Sequence, residues 1–217
     1  MPSSFDRVVY ISGVHGSGKS TLVDRLADLG LIRHDREHSV KLEDTFERMM
    51  WRVCKHWLEA KDQERLAIEN PEKIILGNRC RYDHDAYAAG FLRLGWMTAE
   101  QEAQHQEALD AFFQPQYLPR KIIYLSPPKG WVEERLIERW KKEPKKWHED
   151  NFEYLHAVMD AFEEVYSNHP CDVLRLTETD IERRVKTSIE WIETADPGRR
   201  AMPNESLNYL LSGGRAL

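Results

Sequence analysis

Residues 13–20 read Gly-Val-His-Gly-Ser-Gly-Lys-Ser, which satisfies the pattern G-x-x-x-x-G-K-S. Gly13, Gly16 and Gly18 let the backbone of Val14, His15 and Ser17 turn successive N–H groups inward, the geometry that cradles a chain of phosphates. Lys19 then supplies an ammonium for the β- and γ-phosphates of a nucleoside triphosphate. The Ser20 hydroxyl is a hard oxygen ligand for the Mg²⁺ that bridges them, and Thr21 continues a helix start whose positive dipole end attracts the same anion. Such a loop works only between a strand and a helix, so the flanking segments decide whether the match has chemical meaning.

Both flanks are present. Residues 7–12 (RVVYIS) are a β-branched and aromatic run ending at glycine, which predicts a buried strand. Residues 20–29 change to helical spacing, with Leu22, Val23, Leu26 and Leu29 apolar and Gly30 as the stop. Leu31 and Ile32 predict a very short second strand. A long helix over residues 42–66 carries Phe46, Met49, Met50, Val53, Trp57 and Leu58 along one side, and Asn70-Pro71 ends it. Residues 73–77, 121–125 and 172–176 predict three further strands. Helices are expected over 86–94, 98–113, 131–142, from about 150, and over 180–193, with Thr98-x-x-Gln101 a capping box. Short apolar strands alternating with helices predict an α/β fold with a parallel sheet covered on both faces. Residues 1–194 read as one domain, and the Pro-, Gly- and Ser-rich residues 195–217 as a loosely docked extension.

The chain of 217 residues has 31 Lys and Arg against 37 Asp and Glu, a net charge of −6, which argues against a polyanion surface such as nucleic acid or an acidic membrane as partner. Hydrophobic residues at 41% give ample core, so disorder is excluded. Cys54, Cys80 and Cys171 show no C-x-x-C pairing, and neither a leader nor an 18-residue apolar run is present, so the expected place is the cytoplasm, with reduced thiols. The positive charge is concentrated. Residues 135–146 hold six basic residues against two acidic ones, and Arg135 and Arg139, four apart, share a helix face before Pro144 breaks it. A basic helix end running into a loop suits a lid that excludes water from a transferring phosphate.

Residues 119–139 (PRKIIYLSPPKGWVEERLIER) resemble the strand, Pro-bearing turn and lid-leading helix of thymidylate kinases and the related deoxynucleoside kinases. Residues 78–87 (NRCRYDHDAY) resemble the thymidylate kinase segment that begins Asp-Arg and contains Ala-Tyr at the same spacing. The resemblance spans most of residues 7–193. It implies a P-loop NTPase-type three-layer sandwich with sheet order 2-3-1-4-5, a helical lid over about 135–150, and Mg²⁺-assisted transfer of the ATP γ-phosphoryl group to a nucleoside or nucleoside monophosphate. It also implies that Arg79 contacts acceptor or transferring phosphate and that Arg135 and Arg139 are lid arginines. This chain departs from the pattern at Asn78, where relatives carry Asp or Glu; Asp83 or Asp85 would have to supply the missing carboxylate.

On the acceptor side the resemblance points to residues 32–38 (IRHDREH), with Glu37 as the base for an acceptor hydroxyl and Asp35 in reserve. His34-x-x-Glu37-His38 also matches a zinc pattern, but that pattern needs a helix and this segment follows a strand. Phe46, Trp51, Trp57, Tyr82 and Tyr87 are available to stack on a base, and Arg52 to meet an acceptor phosphate. The long second helix packs either within the protomer or across a homodimer. Two alternatives stand beside the nucleotide kinase: a kinase of another small hydroxyl compound, and a nucleotide-binding regulatory module in which Asn78 marks lost catalysis.

Overall fold

The computed structural model describes residues 4–34, 40, 42–167 and 171–195. Glu37, Asp35 and the expected C-terminal extension beyond residue 195 lie outside the described residues.

Five strands, β1 (Val8–Ser12), β2 (Ile32–Arg33), β3 (Ile75–Asn78), β4 (Lys121–Leu125) and β5 (Asp172–Leu176), form one parallel sheet in the order β2-β3-β1-β4-β5. Its three central strands, β3, β1 and β4, have almost every side chain buried, the pattern of a sheet covered on both faces. Alternate residues of β1 divide the interior. Val8 and Tyr10 join one apolar cluster, under α2 (Thr45–Glu69), α3 (Arg81–Arg93) and α6 (Phe152–Ser167). Val9 and Ile11 join the other, under α1 (Lys19–Asp28) and α7 (Ile181–Ala195). The two faces together make the expected three-layer sandwich. Further out on the first face lie α4 (Ala99–Phe112) and α5 (Lys129–Trp140).

Most element boundaries follow the sequence pattern within a few residues. The exception is α3, which starts at Arg81, five residues before the apolar spacing begins. Its first turn carries Tyr82, Asp83, His84 and Asp85, and Asp83 and His84 are buried there, so a tertiary site has claimed residues that read as polar loop. The capping box on α4 is formed as expected: Gln101 N–H donates to Thr98 Oγ1 at 3.1 Å, and Thr98 N–H donates to Gln101 Oε1 at 2.9 Å. Met49 and Val53 of the long helix are core residues, and Trp57 meets Phe112 edge-on at 5.4 Å. These three therefore pack within the protomer. No disulfide joins Cys54, Cys80 or Cys171, and among the described residues no helix is long and apolar enough to cross a membrane.

Candidate active site

The glycine loop leaves the end of β1 at the centre of the sheet and runs into α1. Gly13 has φ +135° and Gly18 φ +96°, both in the region that L side chains avoid. A Cβ on Gly13 would lie 2.7 Å from the Leu125 carbonyl, so any other residue there would collide with β4 as well as strain the turn. Lys19 lies buried along this loop: its Nζ donates to the carbonyls of Gly13 at 2.6 Å and Val14 at 2.7 Å. Ser20 is exposed on the first turn of α1.

Two arginines reach the loop from outside. Arg135 of α5 donates from Nη2 to Thr21 Oγ1 at 2.9 Å. Arg184 of α7, which the sequence reading missed, is 1% exposed and donates from Nη1 to the Ser17 carbonyl at 2.7 Å. Both guanidiniums stand 5.0 Å from the Trp131 ring, one cationic pair sharing an indole. Burial first, and then the charge of Arg135, push Arg184 down to about 10, so it stays protonated at neutral pH.

Arg139 does not join them. Its Nη2 pairs with Glu149, a carboxylate with no exposed surface that also accepts from Trp140 Nε1 at 3.0 Å. The backbone N–H of Lys146 donates to the same carboxylate, at 2.5 Å. The physical reason is chain reversal: residues 141–151 fold back without regular hydrogen bonding, and Glu149 collects the donors that the turn leaves over. Arg139 is thus tied to the turn over residues 141–151, and it is Arg184 that reaches the glycine loop beside Arg135.

A second group of side chains gathers around Arg79, at the end of β3. A small cavity is lined by Met49, Arg52 and His56 of α2, by Arg79, and by Asp83, His84 and Tyr87 of α3. Arg79 sits between β3 and α3 with φ +75°, a left-handed conformation that costs a non-glycine residue about 1 kcal/mol. That backbone aims its guanidinium 3.7 Å from Asp83 Oδ2, 3.5 Å from the Gly13 carbonyl and 5.0 Å from the Tyr87 ring. Asp83, 1% exposed, accepts from Tyr166 OH at 2.7 Å and from Ser12 Oγ. Burial pushes its carboxyl up, while Arg79, Ser12, Tyr166 and Lys19 pull it down. Asp85 points elsewhere, to Arg81 and to Gln106 Nε2 at 2.9 Å. Of the two acids offered against the loss at Asn78, Asp83 is the one facing the loop.

His15, although within the glycine loop, turns toward this second cavity. Its ring meets Tyr87 at 5.9 Å and Tyr154 at 6.4 Å. Burial, then Arg79, Arg52, Lys19 and Arg48, hold it well below its usual range, so it is neutral. Behind Arg52 three imidazoles form a row: His56 Nδ1 to His84 Nε2 at 2.8 Å, and His84 Nδ1 to His105 Nε2 at 3.2 Å. No spacing in the sequence announces that row, because its members come from α2, α3 and α4. Tyr87 and Arg52 line the cavity. Phe46 instead packs against the core and Trp51 lies 5.4 Å from Lys55 Nζ; neither lines the cavity.

A glycine loop at the end of the central strand of a 2-3-1-4-5 parallel sheet flanked by helices is the α/β fold of P-loop kinases. Among solved structures, that of deoxyadenosine kinase from M. mycoides with bound dATP is similar, with a TM-score of 0.66 and 16% identity over 85% of this chain and 98% of that one. The same enzyme with products dCMP and a flexible dCDP bound gives 0.65 and 16%, over 86% and 99%. No family model matches the chain, and no curated protein matches it significantly.

Proposed function

We propose that this chain is an ATP-dependent phosphotransferase that passes the γ-phosphoryl group to a nucleoside or nucleoside monophosphate. One observation carries the reading. The Gly13 carbonyl accepts both from Lys19 Nζ at 2.6 Å and from Arg79 Nη1 at 3.5 Å, so the triphosphate loop and the second cavity share a wall at the point where a γ-phosphate would lie. The likeness in fold to deoxyadenosine kinase supports the same class of acceptor.

The loop amides and Lys19 would hold the triphosphate, with Arg135 and Arg184 bracing the lid and α7 against its outer side. Arg79, positioned by its own left-handed backbone and by Asp83, would neutralise charge on the transferring group. The donor set suits Mg²⁺: the Ser20 hydroxyl is a hard oxygen on the first helical turn, and Asp83 Oδ2 is a buried carboxylate oxygen without a hydrogen bond. Ser20 and Asp83 would hold the ion, and the chemistry it would supply there is neutralisation of phosphate charge. Trp147 of the lid loop stands 4.7 Å from the guanidinium of Arg48 on α2, so the lid also closes over the acceptor side and keeps water from competing with it. The cytoplasm, where ATP is made and used, is the compartment that fits.

The test is acceptor-dependent ADP release by the purified chain with Mg²⁺ and ATP, across nucleosides, nucleoside monophosphates and unrelated hydroxyl compounds, with products identified by mass. Stimulation by nucleosides or their monophosphates is expected. Slow hydrolysis indifferent to acceptor, or nucleotide binding without turnover, would overturn the reading in favour of a regulatory module.

A further inference from the structure

The acceptor cavity carries more positive charge than its own carboxylates can balance. Arg48 and Arg52 stand one turn apart on α2, hence on one face, and Arg79 approaches from the end of β3. Arg52 lies 5.6 Å and Arg79 5.0 Å from the same Tyr87 ring. Against these three guanidiniums the cavity offers one carboxylate, Asp83, which is 3.7 Å from Arg79 and already accepts from Ser12 and Tyr166. Among the described residues no carboxylate lies within ion-pair distance of Arg48 or Arg52; Arg48 Nη1 donates to the Leu42 carbonyl at 3.2 Å instead. Burial, Arg79 and Arg48 together push Arg52 down to about 10, a sign that the arginines repel one another across the cavity. Glu43 lies near enough to act on Arg48 without pairing with it; partly buried guanidiniums crowded together without a paired carboxylate are costly, and they persist where a bound anion completes them.

A neutral nucleoside brings no such anion. We infer that the acceptor is a phosphate monoester, of which a nucleoside 5′-monophosphate is the nearest example, and that its phosphate seats between Arg48, Arg52 and Arg79. This rests on the kinase reading above and narrows it. Arg48, absent from the sequence expectations, becomes a specificity-determining residue. The side chains around the cavity leave about 10 Å³ between them, so seating requires Arg52 and the Trp147–Arg48 contact to move apart. The transfer balances simply. An already ionised acceptor oxygen forms a bond to the γ-phosphorus, the bond from that phosphorus to the β,γ-bridging oxygen breaks, ADP leaves with the electron pair, and the product is a diphosphate; no proton has to be removed.

The experiment compares calorimetric binding of deoxynucleosides, their 5′-monophosphates, and sugar phosphates to the intact chain without ATP, so that no turnover is needed. Monophosphates are expected to bind at least about 10-fold more tightly than the parent nucleosides, the effect of a charge-assisted pair. Arg52→Gln and Arg48→Gln should erase that preference, while Arg52→Lys should keep part of it; an unchanged melting temperature and unchanged binding of an ATP analogue at the loop verify the fold. Tight binding of sugar phosphates alone would keep the phosphate monoester and replace the nucleotide. Nucleosides binding as tightly as monophosphates, or a preference indifferent to both arginine changes, would overturn the inference. Turnover of nucleosides in that case would leave the kinase reading standing, whereas monophosphate binding without any transfer would sink the kinase reading alone.

Discussion

Lys19 and Arg79 converge on one oxygen, the Gly13 carbonyl, at 2.6 Å and 3.5 Å. On the proposed reading, that shared carbonyl sets both cations beside the triphosphate loop. Lys19→Ala should therefore lower phosphoryl transfer by at least about 100-fold, the usual cost of deleting a group that meets developing charge. The circular dichroism melt should stay close to that of the parent, because the lysine binds loop carbonyls and supports no core packing.

Arg79 offers a way to separate backbone from side chain. Replacement by Ala keeps the left-handed strain at φ +75°, and replacement by Gly relieves it, so Arg79→Gly should be more stable than Arg79→Ala by about 1 kcal/mol. Both should lose transfer activity equally. Denaturant melts of the two variants check the first statement and steady-state assays the second; equal stabilities would show that the strain is not stored there.

The turn over residues 141–151 depends on a carboxylate that the sequence presents as one acid among several. Glu149 binds the Arg139 guanidinium, the Trp140 indole N–H and the Lys146 amide. Glu149→Ala should expose residues 141–150 to proteolysis far more readily than the parent, at a cost to stability of about 3 kcal/mol, since it leaves the Arg139 charge without its buried partner. Limited proteolysis with mass mapping of the cut sites checks this.

Much of the fold was readable because it rests on local patterns. The buried runs of β1 and β4, the glycine stops and the capping box at Thr98 each carry their own signal, and the loop motif was confirmed by its neighbours. What failed to register was convergence. Arg184 reaches Ser17 across 167 positions, and nothing in the residues around either one points to the other. Arg139 reads as the twin of Arg135 by spacing, yet the turn after Trp140 brings Glu149 back against it. The start of α3 was hidden because Asp83 and His84 are polar for reasons of the site, while helical spacing is read from apolar residues.

Burial holds His84 well below the usual imidazole range, and burial with Arg81 brings His105 to about 4. In the unfolded chain both take up a proton near pH 6.5, so below that pH the unfolded state binds more protons than the folded one. Stability should be fully present above about pH 6.5 and fall as the pH drops toward about 4, by up to about 1.4 kcal/mol per pH unit for each histidine. Chemical denaturation at pH 7 and pH 5 measures the loss. His105→Gln should flatten the slope, and a slope unchanged by that substitution would refute the assignment.

The same row of rings has a consequence for handedness of a chemical kind. A neutral imidazole has one N–H, so three of them bonded in line must all donate in the same direction. Among the described residues, His105 Nδ1 at the α4 end has no hydrogen-bond partner. If donation ran from His56 toward His105, that atom would carry an orphaned hydrogen; if it runs from His105 toward His56, the atom keeps only an unused lone pair, the milder penalty. The second direction fixes the tautomer of His56 with its hydrogen on Nε2. A side chain on α4, outside the cavity altogether, thus decides that His56 on the cavity wall is a donor.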